Sequence, residues 1–176
     1  MTRRRLGAGF AGYPEDVAPP PMHRAVAHEP VLRAFVDTSV LVAAVDPSDL
    51  DRRMLARGVI GPDAYLHVVT SAQVLVEFHR AVRALTPPVD EHLAVALVRE
   101  LARDADVVSL TGADVVAALR LTTAALDADP EGGEELRMRD MLVVRSAQVA
   151  GCDVLLTTAL ADGRRFDGLL VEDPFA

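Results

Sequence analysis

The segment at 34–45, AFVDTSVLVAAV, decides how this chain folds. Its first apolar run predicts a short buried strand, and its second predicts a helix because apolar residues recur at Val40, Leu41 and Ala44. Asp37 lies between the two, at the carboxyl end of the strand, where open α/β sheets bind their ligands. The alternative role for Asp37 is that of a helix N-cap, since Asp, Thr and Ser commonly begin helices. Two further acids in apolar segments favour a functional role.

Asp140 lies on the apolar side of a predicted helix. A turn of about 100° per residue places Val143, Val144 and Ala147 on the same face as Asp140. A charge buried there without a partner is costly, so the carboxylate needs one. That partner is either a shared functional site or an arginine, unless the helix has a different register.

Glu77 lies in the segment VLVEFHRAV, on the border of an apolar stripe formed by Val74, Phe78, Val82 and Leu85. A glutamate in that position is often only solvated. Taken with Asp37 and Asp140, however, Glu77 indicates a carboxylate cluster whose repulsion must be relieved by protons or by a cation. Oxygen ligands favour Mg²⁺ or Mn²⁺.

Other metal and nucleotide sites find no support in the sequence. The five histidines have no paired metal spacing, and the lone Cys152 cannot build a thiolate site, so a zinc centre is not expected. The sequence also lacks a phosphate-binding loop motif and a dinucleotide-binding glycine motif.

The composition predicts a globular protein of the cytoplasm. No apolar run is long enough to span a membrane, no secretory signal follows Arg3–Arg5, and a single cysteine suits a reducing compartment. The net charge of −8 argues against a protein that coats nucleic acid. It does not exclude an enzyme that gathers acids around a cation.

The chain divides into two parts. Residues 1–33 are rich in glycine and proline and predict a flexible extension, within which Met22 is an alternative start. Residues 34–176 predict one domain in which strands alternate with helices. This alternation predicts the α/β fold class, with a central parallel sheet and helices on both faces. The strands are expected at 34–37, 66–70, 106–110, 153–156 and 169–171, and the helices at 38–45, 49–57, 71–85, 90–103, 112–126 and 135–150.

Residues 34–176 resemble the PIN-domain ribonucleases, specifically the VapC-type toxins of type II toxin–antitoxin modules. The residues that carry the resemblance are FVDTSVL at 35–41, Glu77, RDMLV at 139–143, Ala147, GCD at 151–153, LLT at 155–157, Gly163, Gly168 and VEDPF at 171–175.

The resemblance implies a three-layer PIN-like domain and a Mg²⁺-dependent endoribonuclease, with Mn²⁺ as the alternative cation. Asp37, Glu77 and Asp140 then correspond to catalytic acids, and Asp37 and Asp140 to metal ligands. Thr38 and Ser39 would support the site at the helix start. The resemblance further implies an RNA substrate, a homodimer and a cognate antitoxin encoded beside the toxin.

One position departs from the family pattern. The family's fourth acid is replaced by Ala159, while Thr157, Thr158 and Asp162 lie nearby as supporting candidates. We favour a working site with three acids. The alternative is a catalytically weakened module that binds RNA or an antitoxin without efficient cleavage.

Two questions stay open at the level of sequence. A haloacid-dehalogenase-type phosphatase is disfavoured because Ser39 stands where that family needs a second Asp. Positive charge for RNA could come from several arginines, each of which could instead be a solvated surface residue. These are Arg52, Arg53, Arg80, Arg83, Arg139, Arg164 and Arg165.

Overall fold

A six-stranded sheet forms the centre of the part of the chain that this computed structural model describes, residues 32–61, 66–128 and 138–176. The strand order is β3-β2-β1-β4-β6-β5, and every pairing is parallel except that of β5 with β6. The strands are β1 (Leu32–Val36), β2 (Leu66–Ser71), β3 (Asp106–Val108), β4 (Val154–Leu156), β5 (Arg165–Phe166) and β6 (Leu169–Glu172).

Helices cover the sheet in two groups. In the first group α1 packs against α2 and α3, and α3 packs against α4; in the second group α5 packs against α6. The predicted three-layer α/β architecture is therefore confirmed. The helices are α1 (Thr38–Ala43), α2 (Leu50–Ile60), α3 (Ala72–Arg83), α4 (Glu91–Asp104), α5 (Gly112–Ala128) and α6 (Met138–Val149).

Short polar side chains set where several helices begin. Asp49, Ser71 and Asp90 occupy the N-caps of α2, α3 and α4, and each side chain accepts a hydrogen bond from the backbone N–H three residues later. These contacts satisfy N–H groups that the helix itself leaves without a partner. The helices therefore start within one or two residues of the predicted positions.

The core lies between the central strands and the helices on either side. Phe35 and Val36 in β1 and Leu155 in β4 are almost completely buried, as are Phe78 in α3 and Met141 in α6. A strand covered on both faces has no polar side to alternate with, which explains its continuous apolar run.

The start of β1 differs from the predicted boundary for a local reason. Leu32 and Arg33, assigned above to the extension, belong to β1, because Leu32 pairs with Leu66 and the Arg33 N–H donates to Asp153. The rest of the extension, residues 1–31, lies outside the described residues. Helix α5 continues to Ala128, and α6 is described only from Met138, since residues 129–137 are not described.

The predicted parallel sheet is confirmed, and the structure adds at one edge a short antiparallel strand that the sequence did not predict. The two-residue strand β5 pairs antiparallel with β6 across a tight turn in which Asp167 and Gly168 both have positive φ, 48° and 92°. Such turns suit glycine and short polar residues, and they join antiparallel neighbours. A strand of two residues is too short to leave a periodic pattern in the sequence.

Within the described part of the chain, none of the helices has both the length and the apolar character needed to cross a bilayer.

Candidate active site

Two polar residues follow the central strands side by side. Because β1 and β4 are parallel neighbours with Val36 opposite Leu156, the next residues, Asp37 and Thr157, emerge together at the carboxyl edge of the sheet. The Asp37 N–H donates to the Leu156 carbonyl at 3.0 Å and so extends the strand pairing by one residue. Asp37 and Thr157 therefore lie at the carboxyl ends of parallel strands, the position in the fold that the sequence predicted for Asp37.

Asp37 is buried, with 2% of its surface exposed, and its carboxylate accepts three hydrogen bonds. Oδ1 accepts from the Thr38 N–H at 2.7 Å. Oδ2 accepts from the hydroxyls of Thr157 at 2.8 Å and Ser39 at 3.2 Å. These donors offset part of the cost of removing the charge from water. Asp37 is also the N-cap of α1, but that contact uses Oδ1 alone.

The same two hydroxyls tie the loop after β4 to the start of α1. The Thr157 hydroxyl accepts from the Ala159 N–H at 3.1 Å, and the Ser39 hydroxyl accepts from the Thr158 N–H at 3.2 Å. Each hydroxyl thus donates to Asp37 and accepts from the loop, which fixes the direction of its proton. Ala159 itself is exposed beside this network.

Glu77 reaches this edge from α3. Its position on the border of the apolar stripe is confirmed, since Val74, Phe78 and Val82 are buried while the Glu77 side chain is 20% exposed. The Thr38 hydroxyl donates to Glu77 Oε2 at 3.3 Å. Because Thr38 follows Asp37 directly, this bond connects the first two predicted acids.

Two further donors hold the Glu77 carboxylate, and sequence reasoning missed both contacts. Gln73 Nε2 donates to Oε1 at 3.0 Å, and the guanidinium of Arg139 pairs with Oε2 through Nε at 2.9 Å. The Gln73 contact could have been found from its spacing, four residues before Glu77 on one helix face. The Arg139 contact depends on how α6 packs and leaves no signal in the sequence.

Asp140 is buried on the predicted face of α6. It is 9% exposed, and Val143, Val144 and Ala147 beside it are buried too, so the predicted register of the helix is confirmed. The ion pair between Glu77 and Arg139, the residue before Asp140, brings the first turn of α6 to the edge that holds Asp37.

A second ion pair fixes α6 further along its length. Arg145 Nη2 lies 2.7 Å from Asp114 Oδ1 of α5. The Thr111 hydroxyl and the Arg145 guanidinium lower the pKa of Asp114 to about 2. The helix that carries Asp140 is thus anchored by charge as well as by its apolar face.

Asp162, the predicted supporting acid, bonds to the C-terminal segment of the chain. Its side chain is exposed on the loop after β4, and Oδ1 accepts the backbone N–H of Asp173 at 2.9 Å. This contact attaches the loop to the C-terminal segment. Asp153 lies at the opposite end of β4 and accepts from the Arg33 N–H.

A cleft of about 420 Å³ opens next to Thr38 and Ser39. Arg139 from α6 and Arg52 from α2 line it, together with the acids Asp46 and Asp49. The Arg52 guanidinium also stacks on the Phe175 ring, with 4.3 Å between its central carbon and the ring centre. The cleft leads from the acidic edge towards α2.

The chemistry of these donors suits a hard cation that keeps several waters. Asp37 and Asp140 are buried carboxylates, and hydroxyl oxygens surround the first of them. Among the described residues, no group of three or more His, Cys, Asp or Glu side chains is arranged to hold a metal ion, so the three predicted acids do not form a closed cluster. Mg²⁺ is commonly bound by one or two carboxylates with water filling the other positions, so this oxygen-only set fits it.

The chain resembles proteins of known fold in both sequence and structure. A family model for the PIN domain matches residues 34–162. VapC20 of Mycobacterium tuberculosis, described as a toxin that cleaves the sarcin–ricin loop, aligns at 20% identity with a TM-score of 0.53, over 69% of this chain and 86% of VapC20. VapBC-1 of nontypeable Haemophilus influenzae aligns at 12% identity with a TM-score of 0.57, over 82% of this chain and 100% of that one.

A third solved structure, VapBC2 of Rickettsia felis bound to a DNA fragment of its promoter, aligns at 12% identity with a TM-score of 0.55, over 80% of this chain and 98% of that one. At these identities the likeness concerns the fold. Comparison with curated proteins gives no significant match. Since the family model spans most of the chain and the fold agrees with it, the chain belongs to the PIN-domain family.

Proposed function

We propose that this chain is a Mg²⁺-dependent endoribonuclease that acts as the toxin of a toxin–antitoxin pair. The observation that carries the proposal is the buried Asp37 carboxylate, held by three donors at the sheet edge to which Glu77 and the start of α6 are attached. A buried charge in such a network is costly to maintain for stability alone. Membership of the PIN-domain family supports the same reaction class.

In this proposal Asp37 and Asp140 hold the cation. When bound, Mg²⁺ lowers the pKa of a water molecule and stabilises negative charge on the phosphodiester. The hydroxyls of Ser39 and Thr157 keep the Asp37 carboxylate oriented. Glu77, whose oxygens already accept from three donors, acts through water by orienting the attacking molecule.

The cleft beside Thr38 and Ser39 is the proposed path of the RNA backbone. Arg52 and Arg139 on its walls can attract phosphate, although Asp46 and Asp49 reduce the positive potential there. The sarcin–ricin loop named for VapC20 is the first RNA that we would test.

We also propose two protein partners, a cognate antitoxin and a second copy of the chain. Two of the similar structures are VapBC assemblies, which supports the antitoxin. Large apolar side chains stand exposed on α2, where Leu50, Met54 and Leu55 are each more than half exposed, and partner chains commonly cover such surfaces. Light scattering of the chain, alone and co-expressed with the protein encoded beside it, tests both partners.

A second candidate function is that of a weakened PIN module that binds RNA or the antitoxin without efficient cleavage. The observation that favours it is Ala159, an exposed residue without a carboxylate where the family pattern has an acid. Loss of one ligand charge lowers metal affinity.

Calorimetry with Mg²⁺ and Mn²⁺, on the wild type and on Asp140→Asn, separates the two candidates. We expect binding by the wild type that the variant loses, together with cleavage of RNA by the wild type alone. Metal binding without cleavage of any RNA tested would favour the weakened module. Absence of binding at millimolar metal would overturn the proposed metal site.

A further inference from the structure

The ion pair between Arg139 and Glu77 occupies a carboxylate that the proposed function needs. Arg139 Nε lies 2.9 Å from Glu77 Oε2, and the Glu77 side chain is only 20% exposed. The same oxygen accepts from the Thr38 hydroxyl, and the other oxygen accepts from Gln73. A hydrogen bond between two charged groups, such as the one from Arg139 to Glu77, is stronger than a hydrogen bond between neutral groups.

Arg139 is suited to this role by its own surroundings. Its side chain is 50% exposed on the wall of the cleft, so it can leave Glu77 without breaking core packing. It directly precedes Asp140, so its backbone is fixed at the start of α6 while its side chain spans to α3.

A carboxylate oxygen that accepts from a guanidinium has fewer lone pairs to offer a cation or its water shell. A cation or a metal-bound water that binds Glu77 must therefore first break the ion pair between Glu77 and Arg139. Metal binding and the ion pair are then linked, and each weakens the other to the same degree.

We propose that Arg139 is a positioning residue that competes with the bound cation and its waters for Glu77 and thereby lowers the metal affinity of the site. This inference rests on the proposed function, because it assigns Glu77 to the metal centre. It predicts that the ion pair with Arg139 fixes the Glu77 side chain in the metal-free state and lowers the affinity of the chain for the metal.

The test is calorimetric Mg²⁺ and Mn²⁺ binding to the full chain and to Arg139→Gln. Removal of the guanidinium should tighten binding roughly threefold to tenfold, because Glu77 becomes available without breaking an ion pair. Arg139→Lys keeps the charge and should stay near the wild type. Arg83→Gln is the matched control, since Arg83 also forms a 2.9 Å ion pair, with Glu91, and is 52% exposed. Its metal affinity should not change.

A double variant shows whether the effect passes through Glu77. In a Glu77→Gln background, Arg139→Gln should change the metal affinity less than twofold, because the competing pair is already absent. Melting temperatures in metal-free buffer establish that each variant is folded. Arg139→Met, which keeps most of the side-chain length, replaces Arg139→Gln if the latter is unfolded.

The outcomes separate this inference from the proposed function. Unchanged or weaker binding by Arg139→Gln, or tightening that persists in the Glu77→Gln background, overturns the role of Arg139. If the wild type binds metal and Asp140→Asn does not, the proposed function survives that result. If neither the wild type nor Arg139→Gln binds metal, both proposals fail. Binding by Arg139→Gln alone would support the competition at Glu77 but would overturn the proposed metal-dependent function of the wild type.

Discussion

The Thr157 hydroxyl donates a 2.8 Å hydrogen bond to Asp37 Oδ2 although 120 positions separate the two residues in the chain. Both are buried, at 1% and 2% exposure. The pairing of β1 with β4 brings them together, so the strand register and the carboxylate network depend on each other.

Replacing Thr157 with valine should destabilise the fold and weaken the site. Valine keeps the shape but removes a donor to Asp37 and the acceptor of the Ala159 N–H. Leaving buried polar groups without a partner costs about 1–3 kcal/mol. Urea unfolding measures the free energy, and calorimetry measures Mg²⁺ binding. Thr157→Ser is the matched control. It should keep most of the free energy of unfolding and most of the Mg²⁺ affinity, because it retains the hydroxyl.

Asp37→Asn should abolish ribonuclease activity without unfolding the chain. The amide keeps the size of the side chain and one oxygen acceptor, but it removes the charge that is proposed to hold Mg²⁺. We expect activity to fall by more than roughly 100-fold, beyond the effect typical of a residue outside the direct ligands. Cleavage of RNA is the measurement, and circular dichroism checks the fold. Wild-type activity in this variant would show that the assignment of Asp37 is wrong.

Ala159→Asp should strengthen metal binding. Ala159 is exposed, and its N–H is bonded to the hydroxyl that contacts Asp37, so a carboxylate there lies at the rim of the site. An added ligand charge should raise Mg²⁺ affinity on the order of tenfold. Ala102→Asp, at an exposed position of α4, adds the same charge elsewhere and is the control. Equal affinities of the two variants would contradict a metal centre at this edge.

Asp114 should make part of the free energy of unfolding decrease as the pH falls through the acid range. The Thr111 hydroxyl, followed by the Arg145 guanidinium, lowers the pKa of Asp114 from the ordinary 3.8 to about 2 in the folded chain. Because the folded pKa lies below the unfolded one, this stabilisation is present above pH 3.8 and disappears as the pH falls towards 2.

Asp114→Asn should therefore reduce stability at neutral pH and flatten its decrease between about pH 4 and pH 2. Urea midpoints across that range provide the measurement. If the urea midpoint of Asp114→Asn falls as steeply with pH as that of the wild type, the interaction of Asp114 with Thr111 and Arg145 contributes nothing to the stability of the fold. Asp104→Asn, which removes an exposed acid bonded to its neighbour Arg103, serves for comparison.

The sequence by itself determined the features that depend on one segment at a time. Burial of Asp140 beside Val143 and Val144 followed from helical periodicity, and the buried strand before Asp37 followed from its uninterrupted apolar run. N-cap residues such as Ser71 placed helix starts, because capping involves neighbours three residues away. The order of strands and helices, and with it the α/β class, came from the same local patterns.

Only the tertiary structure decided which distant groups meet. The bond from Thr157 to Asp37 requires a particular register between strands, and the ion pair from Arg139 to Glu77 requires that the start of α6 lie against the middle of α3. The small β5–β6 hairpin depends on pairing that two residues cannot encode in a pattern. Periodicity reports which face of an element is buried, whereas the partner of each polar group is set by packing between elements that are far apart in the chain.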